Sequence, residues 1–359
     1  MYAEIEGGRD RHVKRPYLIS TRAGCVTLTI WLVVALVLSV IVGIIIGTVN
    51  VPLHDVWTVL SHRVLGLGKE PDRLTNQIIW EFRTPRVLLG ALVGAGLAVA
   101  GASLQILARN GLADPYVLGV SSGAALGAVV VIGFGSVAAG GLSASGAAFV
   151  AAMLTLLLVF AFAQRSGQIG PTRLVLAGVA VSYLLTAATS FLQLYVKSEQ
   201  LRGIVFWMLG SLAGASWGDL GVPSLAIVIS MIWLLARSRG LNAMTTGDDT
   251  ASALGIDVPR LRIELLVLSS LLTAAAVSVS GGIGFVGLMI PHGARLIVGP
   301  DHRRMLPVCA LGGGVFMVLV DLLSRIVDRP NELPVGIFTA ALGAPFFLAL
   351  LRRSGGSHN

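Results

Sequence analysis

Long apolar runs separated by short polar stretches dominate the chain. They cover approximately residues 24–49, 87–108, 116–137, 143–164, 174–196, 220–236, 262–281, 283–299, 305–327 and 334–351. A helix that crosses the hydrocarbon core of a bilayer takes about 20 such residues. The pattern therefore predicts about ten transmembrane helices. It argues against a membrane barrel, whose strands alternate polar and apolar positions. The run at 283–299 is short and carries Pro291, His292 and Arg295, so a half-helix is expected there. Polar tails flank the runs at 1–20 and 354–359, leaving one membrane domain over 21–353. The first apolar run is long enough to span and follows a polar leader, which is not the pattern of a secretory signal.

Composition sharpens this class. Of 359 residues, 55% are hydrophobic and 12% charged, with a mean hydropathy of +0.84. A soluble domain carries about 25% charged residues. A cytosolic or secreted enzyme is thereby argued against, and the fold class is an all-α, polytopic membrane protein. The net charge is +8. On a soluble chain that surplus would raise nucleic acid as a partner. On a membrane chain Lys and Arg gather in cytoplasmic loops instead. With the N-terminus inside, the outer side holds only Arg63, Lys69, Arg73, Arg83, Arg86, Lys197, Arg202, Arg325 and Arg329 of the 26 basic residues. Both termini are expected in the cytoplasm. Cys25 and Cys309 form no CxxC pair and receive no redox role.

The charged residues within or beside the spans, Glu264, Arg295 and Asp321, fall near span ends, and the six histidines form no i,i+4 pair. A carrier driven by an ion gradient, or a channel for bare metal ions, usually keeps carboxylates or histidines inside the membrane. That rival class lacks its expected residues. Gly90 and Gly94 lie four apart, as do Gly119, Gly123 and Gly127. Small residues at this spacing let helix backbones approach closely. Lining a path for a bulky solute is the other reading of these glycines.

Three segments carry more information than composition. The first runs through Arg83-Thr84-Pro85-Arg86, Gln105, Arg109-Asn110-Gly111-Leu112-Ala113-Asp114-Pro115 and Leu118-Gly119-Val120-Ser121-Ser122-Gly123-Ala124. The second is Gly247-Asp248-Asp249-Thr250-Ala251-Ser252-Ala253-Leu254-Gly255. The third combines Gly284-Phe285-Val286-Gly287-Leu288, Pro291-His292, Asp301-His302-Arg303-Arg304, Asp321, Arg325, Glu332-Leu333-Pro334-Val335-Gly336 and Gly343-Ala344-Pro345-Phe346-Phe347. In the second segment, acidic residues stand where a helix start favours negative charge. Gly255 is placed for a left-handed stop. A short helix is expected there.

Over about residues 24–352 these ordered motifs resemble the permease subunits of type II ABC importers, the FecCD-type family for iron–siderophore, haem and cobalamin. Where the family has Asn-Pro, this chain has Asn110-Gly111, which permits a looser turn. The resemblance implies a second permease subunit, identical or paralogous, two ABC ATPase subunits and an extracytoplasmic binding protein. It implies that the loop at about 238–260, with Gly247, Asp248, Asp249, Thr250, Ala251, Ser252, Ala253, Leu254 and Gly255, couples to the ATPase. It implies that Arg83, Arg86 and Arg325 receive acidic residues of the binding protein. Arg suits such pairing through its planar, permanently charged fork. Anchoring at the membrane interface is the competing reading, as is pairing of Arg325 with Asp321 one turn earlier. Inverted repeats over the second-to-fifth and seventh-to-tenth spans are implied as well.

The chain has no P-loop: Gly66-Leu67-Gly68-Lys69 lacks the spacing and is followed by Glu70. ATP and Mg are expected on the partner ATPase, with no cofactor or metal held by this chain. The expected function is ATP-driven import of an iron chelate, ferric siderophore or haem, across a bacterial inner membrane. Cobalamin is the alternative cargo. His292 is read as a structural histidine.

Overall fold

The computed structural model describes residues 17–19, 21–49, 51–165, 168–169 and 171–355. Most of both polar tails lies outside these residues. The helices in chain order are α1 (Arg22–Ile45), α2 (Leu53–Leu60), α3 (Arg73–Asn76), α4 (Thr84–Leu107), α5 (Val120–Phe134), α6 (Ala144–Ala163), α7 (Pro171–Gln193) and α8 (Ser198–Met208). They continue as α9 (Gly221–Ala236), α10 (Ser238–Met244), α11 (Asp248–Ala253), α12 (Val258–Ser280), α13 (Val286–Val298), α14 (His302–Ile326) and α15 (Val335–Gly355). A two-residue hairpin, Gln164–Arg165 with Gln168–Ile169, joins α6 to α7.

Each of the ten apolar runs forms a helix. Among the described residues, seven helical units are long and apolar enough to cross a membrane, while α5, α13 and the stretch Val335–Leu350 of α15 are shorter apolar helices. The 13 residues of α13 span about 20 Å at 1.5 Å per residue, short of a crossing. The half-helix expected there is present. The structure adds helices at 53–83 and at 198–208, where the apolar pattern indicated only loops. In α2, Val56 and Val59 pack against Ile44, Ile79 and Val87, so tertiary burial holds an element too short to stand alone.

Helix α4 is the axis of the bundle. Pro85 pre-sets its first turn. Twenty of its 24 residues are buried, which a helix apolar on all sides requires. It packs against α14, α12 and α13, and α1 lies against α14. Helices α5, α6 and α7 form a second group joined to the first through α12. Contact with α4 is backbone to backbone: a Cβ on Gly94 would meet Gly313 O at 2.1 Å, and one on Gly101 would meet Gly287 O at 1.9 Å. Gly123 and Gly127 likewise abut Thr155, Ala151 and Ala147 of α6. Gly119 departs from the expected helix. It stands one residue before α5 with φ +76, a left-handed conformation that glycine adopts without penalty.

Several segments break inside the bundle. Non-helical backbone among apolar helices must satisfy its own polar groups. Here Ser211 N donates to Ser280 O (2.8 Å), Val335 N to Gly210 O (2.9 Å) and Gly336 N to Leu209 O (3.1 Å). The Tyr116 hydroxyl accepts from Ile283 N at 2.5 Å. The turn at Asn110-Gly111 is tied as well, by Leu112 N to Asn110 Oδ1 (2.9 Å) and Ala113 N to Asn110 O (3.0 Å).

Candidate functional site

Three groups of residues carry the chemistry: a charged cluster at the start of α4, the α11 region beyond its other end, and a cavity between them. The 24 residues of α4 separate the two ends by about 36 Å.

At the first end the structure gathers Arg83, Arg86 and Arg325 within one buried network. They are 7%, 8% and 2% exposed. The cause lies in α1, whose last turn contains no basic residue. Its terminal carbonyls lack intrahelical partners and carry the negative end of the helix dipole. Arg83 donates to Ile44 O (3.0 Å), Ile45 O (2.8 Å) and Val49 O. Arg325 donates to Gly43 O (2.9 Å) and Ile46 O (3.3 Å). Arg86 bridges Asp321 at 2.9 Å and Glu332 at 2.8 Å, and Arg325 Nε lies 3.1 Å from Asp321. The local Arg325–Asp321 pairing is thus present, and Arg86 joins it from 235 residues away in sequence. The three guanidinium groups are engaged within the chain rather than standing free.

At the second end, α11 forms where the acidic segment predicts a helix, with Gly247 at φ +130 before it and Gly255 at φ +79 after it. The two sides of α11 differ. Ala251 is buried, whereas Asp249, Thr250, Ser252, Ala253 and Leu254 face outward. Leu254 is 67% exposed, a large apolar side chain at a polar end of the molecule. Asp248 turns back onto the bundle. It pairs with Arg109, just beyond α4, and with Arg262 of α12 at 2.5 Å. Nearby, Asn242 donates to Asp301 (2.9 Å) and accepts from His302 N (3.0 Å), tying α10 to the start of α14. Burial alone would raise the Asp301 carboxyl, but the Asn242 bond, the Arg303 backbone N–H and the charges of Arg304 and Arg303 hold it below the usual carboxylate range.

Between the ends lies a cavity of about 150 Å³ where α5, α7, the end of α8 and Gly282 meet. Ser121, Ser122, Thr186, Thr189, Ser190, Trp207 and Met208 line it together with Ala125, giving hydroxyls, a ring and a thioether without a charge. Among the described residues, no three His, Cys, Asp or Glu side chains gather as a metal site. His292 sits 6.1 Å from Phe346, edge to face, as a packed residue. Ser121 and Ser122 belong to a sequence motif with no assigned role, and α7 carries no motif. The available signal was Thr186, Thr189 and Ser190, three hydroxyls on one helical face of an apolar run. Arg109 stands in a motif without an assigned role, and Arg262 lies outside the motifs.

Comparison with protein families matches residues 35–353 to the FecCD transport family. The cobalamin import system permease protein of Halobacterium salinarum is 47% identical over 275 residues, 77% of this chain and 73% of that protein. The hemin transport system permease protein of Yersinia pestis is 42% identical over 286 residues, 78% and 85% of the respective chains. A solved ABC transporter assigned to the metal-chelate type, in an inward-facing conformation, superposes with a TM-score of 0.78 at 34% identity. That alignment covers 91% of this chain and 99% of the other.

Proposed function

The chain belongs to the FecCD transport family, and on that premise we propose that it is the permease subunit of an ATP-driven, binding-protein-dependent importer. It takes an iron chelate, ferric siderophore or haem, into the cytoplasm by alternating access. The complex holds a second permease subunit, two ABC ATPase subunits that bind ATP and Mg, and an extracytoplasmic binding protein. The α11 end faces the cytoplasm of a bacterial inner membrane, and the arginine end faces outward.

The observation that carries this reading is the outward face of α11. Asp249, Thr250, Ser252, Ala253 and Leu254 stand clear of the bundle, while Ala251 anchors the helix from beneath. A short helix held by one buried residue, otherwise exposed and ending in a large apolar side chain, presents a face that a partner's cleft can take up. The segment Gly247 to Gly255 is the ATPase contact. At the other end, the binding protein docks over the network of Arg83, Arg86 and Arg325, which supports the surface from below and keeps its field positive. The uncharged, hydroxyl-lined cavity, at about 150 Å³ smaller than a whole chelate, is read as part of the path rather than as the cargo site. Cobalamin is the second reading, favoured by the halobacterial relative at 47% identity.

The test of the cytoplasmic contact is Leu254→Asp in the co-expressed complex. Burying a charge in an apolar cleft costs several kcal/mol, so the ATPase is expected to dissociate at least tenfold more readily. Unchanged ATPase retention would remove α11 as the contact. Uptake competition among haem, a ferric hydroxamate and cobalamin then assigns the cargo.

A further inference from the structure

The inward-turned residue of α11, Asp248, has a different task from the exposed face of the helix. Asp248 opens the helix, yet its carboxylate makes no hydrogen bond to the α11 backbone, and Gly247 holds the N-cap position. The carboxylate instead pairs with two arginines from two other elements, Arg109 beyond α4 and Arg262 on α12. Arg109 has φ +48, a left-handed conformation at a helix end where glycine is the usual residue. An arginine in that place is accounted for by the side chain it delivers to Asp248. Helices α4 and α12 are the two most buried long helices, at 78% and 72% of their apolar windows, so whatever is tied to their ends is tied to the centre of the bundle.

We infer that Asp248 is the latch that makes α11, the end of α4 and the start of α12 move as one body, transmitting force from the exposed face of α11 into the bundle. Asp248 is a positioning residue: it touches neither cargo nor nucleotide. Without it, α11 keeps Ala251 and its packing on α10 and the start of α12 but loses its ion pair to the end of α4, and a displacement of α11 is absorbed before it reaches α4. The inference rests on the ATPase-contact reading given above.

The test uses the complete importer, with its ATPase and binding protein, in proteoliposomes. The readout is cargo moved per ATP hydrolysed. Asp248→Asn is expected to lower that ratio about tenfold, within the range typical of coupling between sites. Asp248→Glu should restore it to within about twofold, and adding Arg109→Gln to Asp248→Asn should lower it no further. A second variant is independent of the ion pair. In Asp248→Cys/Arg109→Cys, a short bifunctional thiol reagent joins α11 to the end of α4, and the native Cys25 and Cys309 are buried away from it. The cross-link should raise cargo per ATP above that of the untreated variant. A ratio unchanged by Asp248→Asn, or a cross-link that arrests transport or leaves the ratio unchanged, overturns the latch. Wild-type complex that shows no ATP-dependent uptake at all removes the underlying reading as well, and is a different outcome.

Discussion

Replacing Gly101 by alanine puts the packing of α4 to a quantitative test. The added Cβ would lie 1.9 Å from Gly287 O, and the same change at Gly94 would place it 2.1 Å from Gly313 O. Ordinary van der Waals contact begins near 3.4 Å. The α13 and α14 backbones must therefore withdraw by about 1.5 Å and 1.3 Å, which a close-packed interior resists. Overpacking of this kind costs about 1–3 kcal/mol, while alanine in place of glycine returns up to about 1 kcal/mol of helix propensity. Gly96 on the same helix supplies the control. Its Cβ would meet Ile227 Cγ1 at 3.5 Å, an ordinary contact, so Gly96→Ala collects the propensity gain alone. The two kinds of variant should differ by about 2 kcal/mol, roughly 30-fold in the unfolding constant. Equilibrium unfolding of the purified permease in bicelles measures this directly. If Gly94→Ala and Gly101→Ala prove as stable as Gly96→Ala, the backbone-to-backbone contact of α4 is not the one described.

Two further outcomes follow from the charged groups. Arg86→Gln removes one of the two cations facing Asp321, which is 1% exposed, and breaking a buried pair costs about 3–5 kcal/mol; with Arg325 still in place, about 3 kcal/mol is expected in the same unfolding assay. A neutral result would mean that Arg325 alone satisfies Asp321. The lowered carboxyl of Asp301 contributes stability that is full above its unfolded value of about 3.9 and is lost as pH falls through its lower folded value. The stability gap between wild type and Asp301→Asn should therefore shrink below about pH 4, as read by thermal unfolding across pH, and a gap constant from pH 7 to pH 3 would contradict it.

The ten apolar runs were readable because bilayer thickness imposes a length on them, and even the half-helix at α13 showed in its Pro291, His292 and Arg295 interruptions. Helices α2 and α8 were not readable. They are short, and their formation rests on burial against distant residues rather than on their own periodicity: Ile44 and Val87 for α2, Val129 and Val196 for Ile204 of α8. The pairing of Arg325 with Asp321 was visible as an i,i+4 spacing. The capture of Asp321 by Arg86, and of the α1 carbonyls by Arg83 and Arg325, depended on how α4, α14 and α1 assemble. So did the burial of all three arginines, which a linear reading places simply at span ends. The segment from Gly247 to Gly255 announced a helix, but its division into an outward face and an inward Asp248 emerged only with α4 and α12 in place.

The most direct test of the central claim is uptake by proteoliposomes that hold this permease with its ATPase and binding protein. The account predicts accumulation of a labelled ferric siderophore or haem that requires ATP inside and binding protein outside. Uptake driven by an ion gradient without ATP, or equal uptake of free ferric ion without chelator or binding protein, would contradict it.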